Sequence, residues 1–180
     1  MRVITGSARG IKLLSPEGMD VRPTTDKVKE SIFNIIQFDI EGSRVLDLFA
    51  GSGQLGIEAL SRGAQNAVFV DSARKSIDLA KKNLEHTRLS DKAKLICSDY
   101  ALFLQGCSDT FDVIFLDPPY NTAILQRAIN GVDKILSPYG IIVCEHGTDE
   151  TVTPPNDIYT IKSYKYGKIT LTVLRKQAKE

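Results

Sequence analysis

One tetrapeptide, Asp117-Pro118-Pro119-Tyr120, combines groups that could hold a nucleobase and act on its amine. It follows the apolar run Asp112 to Leu116, which predicts a buried strand. Ligands of open α/β sheets bind at the carboxyl ends of the strands, where this tetrapeptide would lie. The Asp117 carboxylate and the Pro118 carbonyl could accept the N–H groups of an exocyclic amine, while the Tyr120 ring stacks on the base. The alternative is a proline-stiffened turn that merely ends the strand.

A glycine-rich pattern lies between a predicted strand and a predicted helix. Residues 51–56 match G-x-G-x-x-G, and Asp71 ends the next predicted strand. Glycines alone are weak evidence, because any tight strand-to-helix turn favours them. Their position together with Asp71 predicts a ligand that contains a nucleoside, either a dinucleotide or S-adenosylmethionine.

Four acidic residues lie in or just after four successive predicted strands: Asp47, Asp71, Asp99 and Asp117. Asp47 would be unfavourable beside a pyrophosphate, but it can accept a hydrogen bond, directly or through water, from the ammonium of a methionine moiety. Asp71 would accept from ribose hydroxyls, and Asp99 from the adenine amine with Tyr100 beside it. Each acid alone could be a helix cap or a solvated loop residue, but the set of four favours S-adenosylmethionine.

The elements that must position these residues alternate between strand and helix from residue 44 onward. Short loops between alternating elements predict an α/β fold with a doubly wound, mostly parallel sheet, and a terminal hairpin adds an antiparallel strand. Seven strands are predicted, at residues 45–49, 67–70, 93–97, 112–116, 141–145, 158–164 and 169–174. Helices are predicted up to residue 36 and at residues 54–62, 73–87, 101–105 and 121–136.

Composition limits the class of protein. With 180 residues, 42% of them hydrophobic and 25% charged, the chain suits one globular domain with a full core. No apolar run approaches the ~20 residues of a membrane helix, and the start of the chain has no signal-peptide pattern, so we expect a cytoplasmic protein. Neither the three cysteines nor His86 and His146 have metal-ligand spacing, so no metal is expected.

The first 24 residues differ from the rest. Glycines and a proline separate short β-like runs, which predicts an extended arm or hairpin rather than a core element. The segment is rich in basic residues although the net charge of the chain is only +1. A basic end is either a solvated tail or an arm that contacts phosphates. Charge alone leaves both possibilities open for an N-terminal arm at residues 1–24, which precedes a domain at residues 25–180; Arg9, Arg22 and Lys27 are the candidates if the arm region contacts phosphates.

Taken together, these motifs resemble the Class I S-adenosylmethionine-dependent methyltransferases. Residues 45–53, Val-Leu-Asp-Leu-Phe-Ala-Gly-Ser-Gly, resemble the first motif of that class, and residues 117–120 resemble the catalytic motif of its amino-methyltransferases. One family is closer still. The segments 6–10 and 22–27, with Glu30 and Phe33-Asn34, resemble the N-terminus of the bacterial 16S ribosomal RNA guanine-N2 methyltransferases. The similarity covers nearly the whole chain, although Lys27 stands where that family would have arginine.

The resemblance implies a Rossmann-like domain that transfers a methyl group from S-adenosylmethionine to the N2 amine of a guanine. The substrate would be small-subunit ribosomal RNA, in an assembled 30S particle or free, and the enzyme a monomer without a metal or a membrane partner. Residues 1–24 would be an RNA-contacting arm before a methyltransferase domain at residues 25–180, with RNA bound by Arg9, Arg22 and Lys27. Asp117, Pro118, Pro119 and Tyr120 would be catalytic. The residues implied to bind the cofactor are Asp47, Phe49, Gly51, Gly53, Asp71, Asp99 and Tyr100.

Three alternatives remain open at this stage. An adenine-N6 methyltransferase would use the same tetrapeptide, although no target-recognition domain for DNA is visible. A nicotinamide-dependent oxidoreductase is supported by G-x-G-x-x-G alone. A third is a ribosome-assembly factor that binds RNA without turnover, against which the intact tetrapeptide argues.

Overall fold

The computed structural model describes residues 1–16, 26–120 and 123–177. Helices and strands alternate along most of this length, as the sequence predicts. Five α-helices are described: α1 (Asp26–Ile35), α2 (Gln54–Ser61), α3 (Arg74–Thr87), α4 (Tyr100–Gly106) and α5 (Ile124–Val132). Within these ranges no helix is long and apolar enough to cross a bilayer.

The strands form one seven-stranded sheet in the order β3-β2-β1-β4-β5-β7-β6, with the chain starting in the middle and winding outward in both directions. The first five strands run parallel, and β7 pairs antiparallel with both β5 and β6. The predicted doubly wound α/β fold is thus confirmed. The strands are β1 (Arg44–Asp47), β2 (Asn66–Asp71), β3 (Ala93–Cys97), β4 (Phe111–Leu116), β5 (Leu136–Gly147), β6 (Tyr159–Tyr166) and β7 (Ile169–Lys176).

Both faces of the central strands are buried, which explains why they are apolar without alternation. In β4, Val113 and Phe115 point to one layer of the core, and Ile114 and Leu116 point to the other. The first layer is covered by α1, α2 and α3, and the second by α4 and α5. This packing holds the carboxyl ends of β1, β2 and β4 next to one another at one edge of the sheet.

The region around Ser137 and Pro138 differs from the predicted helix at 121–136. Helix α5 begins at Ile124 and ends at Val132, a 3-10 turn follows, and β5 already starts at Leu136. The pairing of β5 with β4 shifts register after Phe111, and Tyr139 has a φ of +62°. A proline is tolerated in a strand at such an irregularity, so it marks a bulge here rather than the end of the helix.

The N-terminal segment is a short hairpin closed by a bridge between Arg2 and Lys12. The expectation that it lies outside the core is wrong, because Val3, Ala8 and Leu13 are buried in the first core layer. Short apolar runs between glycines were too sparse to predict this burial. The hairpin is part of the folded domain, although it still presents basic side chains to solvent.

Polar contacts fix the hairpin to α2 and α3. The Ser61 hydroxyl donates to the Thr5 carbonyl at 2.7 Å and accepts from the Ala8 amide at 2.9 Å. Asn83 of α3 exchanges hydrogen bonds with the Leu14 backbone at 2.7 and 3.1 Å. These contacts satisfy backbone groups that the single bridge leaves unpaired.

Candidate active site

Strand register brings the predicted acidic residues to one edge of the sheet. Asp47 pairs with Phe69 of β2 and with Phe115 of β4, so Asp71 and Asp117 each lie two residues beyond those partners. Leu116 pairs with Cys144, which places Glu145 beside Asp117. This edge is the carboxyl edge, where parallel sheets bind ligands.

The glycine loop leaves β1 and turns into α2 at this edge. Gly51 has a φ of +53°, and a Cβ on it would meet no atom within 4 Å. Gly56 is required for another reason, since a Cβ there would lie 2.3 Å from the Phe69 ring. The loop therefore combines close helix–strand packing with an open space above Gly51.

Asp47 lies under this loop and is almost fully buried, at 2% exposure. One of its carboxylate oxygens accepts from the Gly56 amide at 3.0 Å. Burial raises the pKa of Asp47 to about 7, and the nearby charge of Asp71 acts in the same direction. A cation bound next to Asp47 would stabilise its ionised form, because it offsets the burial of the negative charge.

Asp71 shapes the backbone on both sides of the same space. Its carboxylate accepts from the Gly51 amide at 2.9 Å and from the Ala73 amide at 2.8 Å. These bonds tie the glycine loop to the start of α3. The residue is half-buried, so its carboxylate is also reachable for a ligand.

Asp99 and Tyr100 lie at the end of β3, next along the edge. The Asp99 carboxylate caps α4 through the amides of Ala101 and Leu102, at 2.8 and 3.3 Å. The Tyr100 ring packs against Phe49, with 5.4 Å between ring centroids. The two aromatic rings form an apolar wall near the exposed cap.

Asp117 begins the tetrapeptide directly after β4. Burial raises the pKa of Asp117 well above its usual value, and the charges of Glu145 and Asp47 raise it further. Pro118 is buried, whereas Pro119 is exposed and Tyr120 is half-buried. The carboxyl groups at this edge thus disfavour one another's ionisation.

Glu145 is a site residue that the sequence did not predict. It is 4% exposed, and it accepts a 2.8 Å hydrogen bond from the Tyr120 hydroxyl. The sequence feature that could have indicated Glu145 is its position as an acidic residue at the end of the apolar run 141–145. The adjacent His146 lies buried and bonded to the Gly147 carbonyl and the Thr172 hydroxyl, each at 2.8 Å, which is a structural role.

The predicted RNA contacts that the structure describes, Arg9 and Lys27, lie on the surface of the N-terminal region rather than at the carboxyl edge of the sheet. Arg9 is exposed on the hairpin, and Lys27 is exposed in the first turn of α1. Arg22 lies outside the described residues. Lys29, which adds to the basic count of this region, is fully buried and cannot contact RNA.

Two further observations concern ligand space. In the described part of the chain, no group of three or more His, Cys, Asp or Glu side chains could hold a metal ion. A cavity of about 430 Å³ lies at the opposite edge of the sheet, near Arg44, Asn66 and Ala93. These residues are at the amino ends of their strands, away from the acids and the glycine loop.

The sheet order, the glycine loop and the acid-lined carboxyl edge define a Rossmann-like methyltransferase fold, and comparison with known proteins supports this class. A solved structure titled "Putative methyltransferase yhhF from Escherichia coli" is 31% identical, with a TM-score of 0.89 over 99% of both chains. At that identity and coverage the likeness extends over the whole domain.

The chain belongs to the family described as Conserved hypothetical protein 95, which matches residues 1–175. A Bacillus subtilis relative named "Putative rRNA methyltransferase YlbH" is 41% identical over 98% of this chain and 100% of its own length. A Haemophilus influenzae relative named ribosomal RNA small subunit methyltransferase D is 36% identical over 94% of this chain and 91% of its own.

Proposed function

We propose that this chain transfers a methyl group from S-adenosylmethionine to the N2 amine of a guanine in 16S ribosomal RNA. The observation that carries the proposal is the position of Asp117 and Pro118 at the carboxyl edge, beside the buried Asp47 and the glycine loop. The names of the relatives support the class of substrate. The N2 position rests on the resemblance of the motifs.

The residues around the glycine loop suit S-adenosylmethionine. The space above Gly51 is open, and the Gln54 side-chain oxygen is buried without a hydrogen-bond partner in the described structure. Asp47 and Asp71 offer acceptors to an ammonium and to ribose hydroxyls, respectively, and Asp47 would repel the pyrophosphate of a dinucleotide. Asp99 and the Phe49–Tyr100 rings would take the adenine.

The bound cofactor supplies a methyl group on a positively charged sulfonium. The guanine amine is a poor nucleophile, because its lone pair is delocalised into the ring. Accepting its two N–H groups at Asp117 and the Pro118 carbonyl draws the nitrogen toward a tetrahedral geometry and frees the lone pair. As the N–C bond forms and the methyl–sulfur bond breaks to leave a neutral thioether, Asp117 would stabilise the positive charge on the nitrogen, whose extra proton is then released to solvent.

Asp117 must be ionised for this role, although burial and the charges of Glu145 and Asp47 raise its pKa. A cationic cofactor beside Asp47 and Asp117 offsets their mutual repulsion and favours the carboxylate. Cofactor binding would therefore prepare Asp117 for the base. The Tyr120 ring would hold the flipped base by stacking, worth about 1–3 kcal/mol.

Arg9 and Lys27 would contact RNA phosphates near the site, together with Arg22. These contacts would position the RNA without reading its bases. The target guanine must be unpaired or flipped to reach the tetrapeptide. A nucleotide exposed on an assembled 30S particle meets that requirement.

The test is to incubate the protein with labelled S-adenosylmethionine and three substrates: unmodified 30S particles, free 16S RNA and DNA. Digestion to nucleosides and mass spectrometry then identify the product. N2-methylguanosine supports the proposal, whereas N6-methyladenine on any substrate contradicts it. In the control variant, Asp117→Ala should abolish transfer while calorimetry shows that the cofactor still binds.

A further inference from the structure

The strand next to the tetrapeptide carries a carboxylate that the proposed reaction does not use. Glu145 lies in β5 with only 4% of its surface exposed. Burying a carboxylate in a sheet is unfavourable unless its oxygens are bonded. One of these oxygens accepts the Tyr120 hydroxyl at 2.8 Å, so the buried acid is directed at the end of the tetrapeptide.

Tyr120 needs such support, because it lies in a loop. Pro119 before it is exposed, and the next helix begins only at Ile124. Tyr120 thus belongs to neither β4 nor α5. The hydrogen bond to Glu145 instead links its ring to β5, a central strand paired on both sides.

We propose that Glu145 is a positioning residue for the methyl acceptor, which anchors the Tyr120 hydroxyl and thereby sets the plane against which the target base stacks. This inference rests on the proposed function, because it concerns the same pocket. It differs in assigning work to the Tyr120 hydroxyl, which stacking alone does not require. A ring held in place before the base arrives loses less freedom on binding, and this favours a tight and correctly oriented complex.

Glu145 also lies beside Asp117 and raises the pKa of that carboxyl, so a purely electrostatic role has to be separated from anchoring. Substitution offers a clean separation. Glu145→Gln removes the charge but keeps an amide oxygen that accepts the hydroxyl. Glu145→Leu removes both, and Tyr120→Phe removes the hydroxyl but keeps the ring.

The experiment measures kcat and KM for unmodified 30S particles with these three variants and with the Tyr120→Phe/Glu145→Leu double variant. Anchoring predicts that Tyr120→Phe and Glu145→Leu each lower kcat/KM by about tenfold, which corresponds to about 1.4 kcal/mol. The double variant should be no worse than the poorer single variant, because both remove one interaction. Glu145→Gln should retain most of the wild-type kcat/KM, while its pH profile moves to lower pH as the pKa of Asp117 falls.

A matched control exists at the amino edge of the sheet, opposite the candidate active site. Tyr159 donates its hydroxyl to Asp133 at 2.5 Å and is 7% exposed, so Tyr159→Phe removes a similar tyrosine–carboxylate bond away from the site. It should change thermal stability but not KM. If Tyr159→Phe lowers kcat/KM as much as Tyr120→Phe, the effect is one of stability and the inference fails.

Two further outcomes also overturn it. The inference fails if Tyr120→Phe has wild-type kcat and KM, or if Glu145→Gln is as damaging as Glu145→Leu. Tyrosine labelled with carbon-13 at Cζ checks the bond without turnover, since the Tyr120 resonance should shift in Glu145→Leu. An absent shift refutes the anchor itself, whereas a wild-type protein that methylates no RNA refutes the proposed function instead.

Discussion

Lys29 and Glu58 form an ion pair in which both side chains are fully buried, with 3.4 Å between the ammonium nitrogen and a carboxylate oxygen. Glu58 also accepts hydrogen bonds from the amides of Ile4 and Thr5 and from Arg62, at 2.8, 3.0 and 2.8 Å. One carboxylate of α2 thus joins the N-terminal hairpin to α1. The surrounding core makes this pair structural rather than catalytic.

Replacing Glu58 with glutamine should destabilise the protein by about 3–5 kcal/mol, because it leaves the Lys29 charge buried without a counterion. Burial already lowers the pKa of Lys29, opposed by the charge of Glu58. Urea denaturation measures the loss. Glu85→Gln is the control, since its pair with Lys81 is 58% and 65% exposed and should contribute less than about 1 kcal/mol. Equal losses in the two variants would show that the buried pair has no special role.

Asp47→Asn should stabilise the protein without ligand at pH 8 and weaken S-adenosylmethionine binding. The native pKa of Asp47 is about 7, above the ordinary value of 3.8. Between these values the native state binds more protons than the unfolded state, so this carboxyl lowers stability as pH rises from about 4 to 7. Asparagine keeps an acceptor for the Gly56 amide and removes this loss, which should raise Tm by a few degrees.

Calorimetry across pH tests the other half of that prediction. A cation binds the carboxylate form, so cofactor affinity of the wild type should increase as pH rises through about 7, with proton release below it. In Asp47→Asn the pH dependence should become weaker, with Asp117 contributing what remains. Unchanged pH dependence in the variant would mean that another group binds the ammonium.

Much of this arrangement was predictable, because the motifs lie where local patterns are strong. The apolar runs before Asp47, Asp71 and Asp117 define buried strands, and the parallel topology then brings their carboxyl ends together. In a parallel sheet, residues at or just after the ends of these strands all lie at the carboxyl edge.

The features that sequence did not predict depend on contacts between distant parts of the chain. Glu58 bonds to Ile4 across 54 positions, and Glu145 bonds to Tyr120 across 25. No periodicity marks such a pair. The bulge at Pro138 was missed for a related reason, since a proline near the end of an apolar run fits a helix stop equally well.

Asp71→Ala should weaken cofactor binding by at least about tenfold and also lower stability by about 1–2 kcal/mol. The second effect arises because the carboxylate holds the amides of Gly51 and Ala73, which lose their acceptor. Calorimetry and thermal denaturation measure the two effects. Asp78→Ala, which removes an exposed acid of α3 that pairs with the exposed Arg74, should alter neither. A variant with normal affinity would exclude Asp71 from the ribose site.

The proposed RNA-binding role of the hairpin has to be tested by point substitutions, because deletion would also remove buried core side chains. Removing residues 1–24 would take Val3, Ala8 and Leu13 from the first core layer and leave Glu58 without its amide donors. A truncated chain that fails to bind RNA would therefore show only unfolding.

Arg9→Ala combined with Lys27→Ala should weaken binding to 16S RNA and flatten its salt dependence, because both side chains are exposed and would neutralise phosphates. Each lost phosphate contact lowers the slope of log K against log salt by about one, so the pair should lower it by about two. Filter binding over a salt series measures this slope, and calorimetry should give wild-type affinity for S-adenosylmethionine. Lys92→Ala combined with Lys94→Ala removes the same charge from the amino edge of the sheet and should leave the slope unchanged. If both double variants flatten the slope equally, the RNA responds to net charge rather than to this surface, and the hairpin has no specific part in recognition.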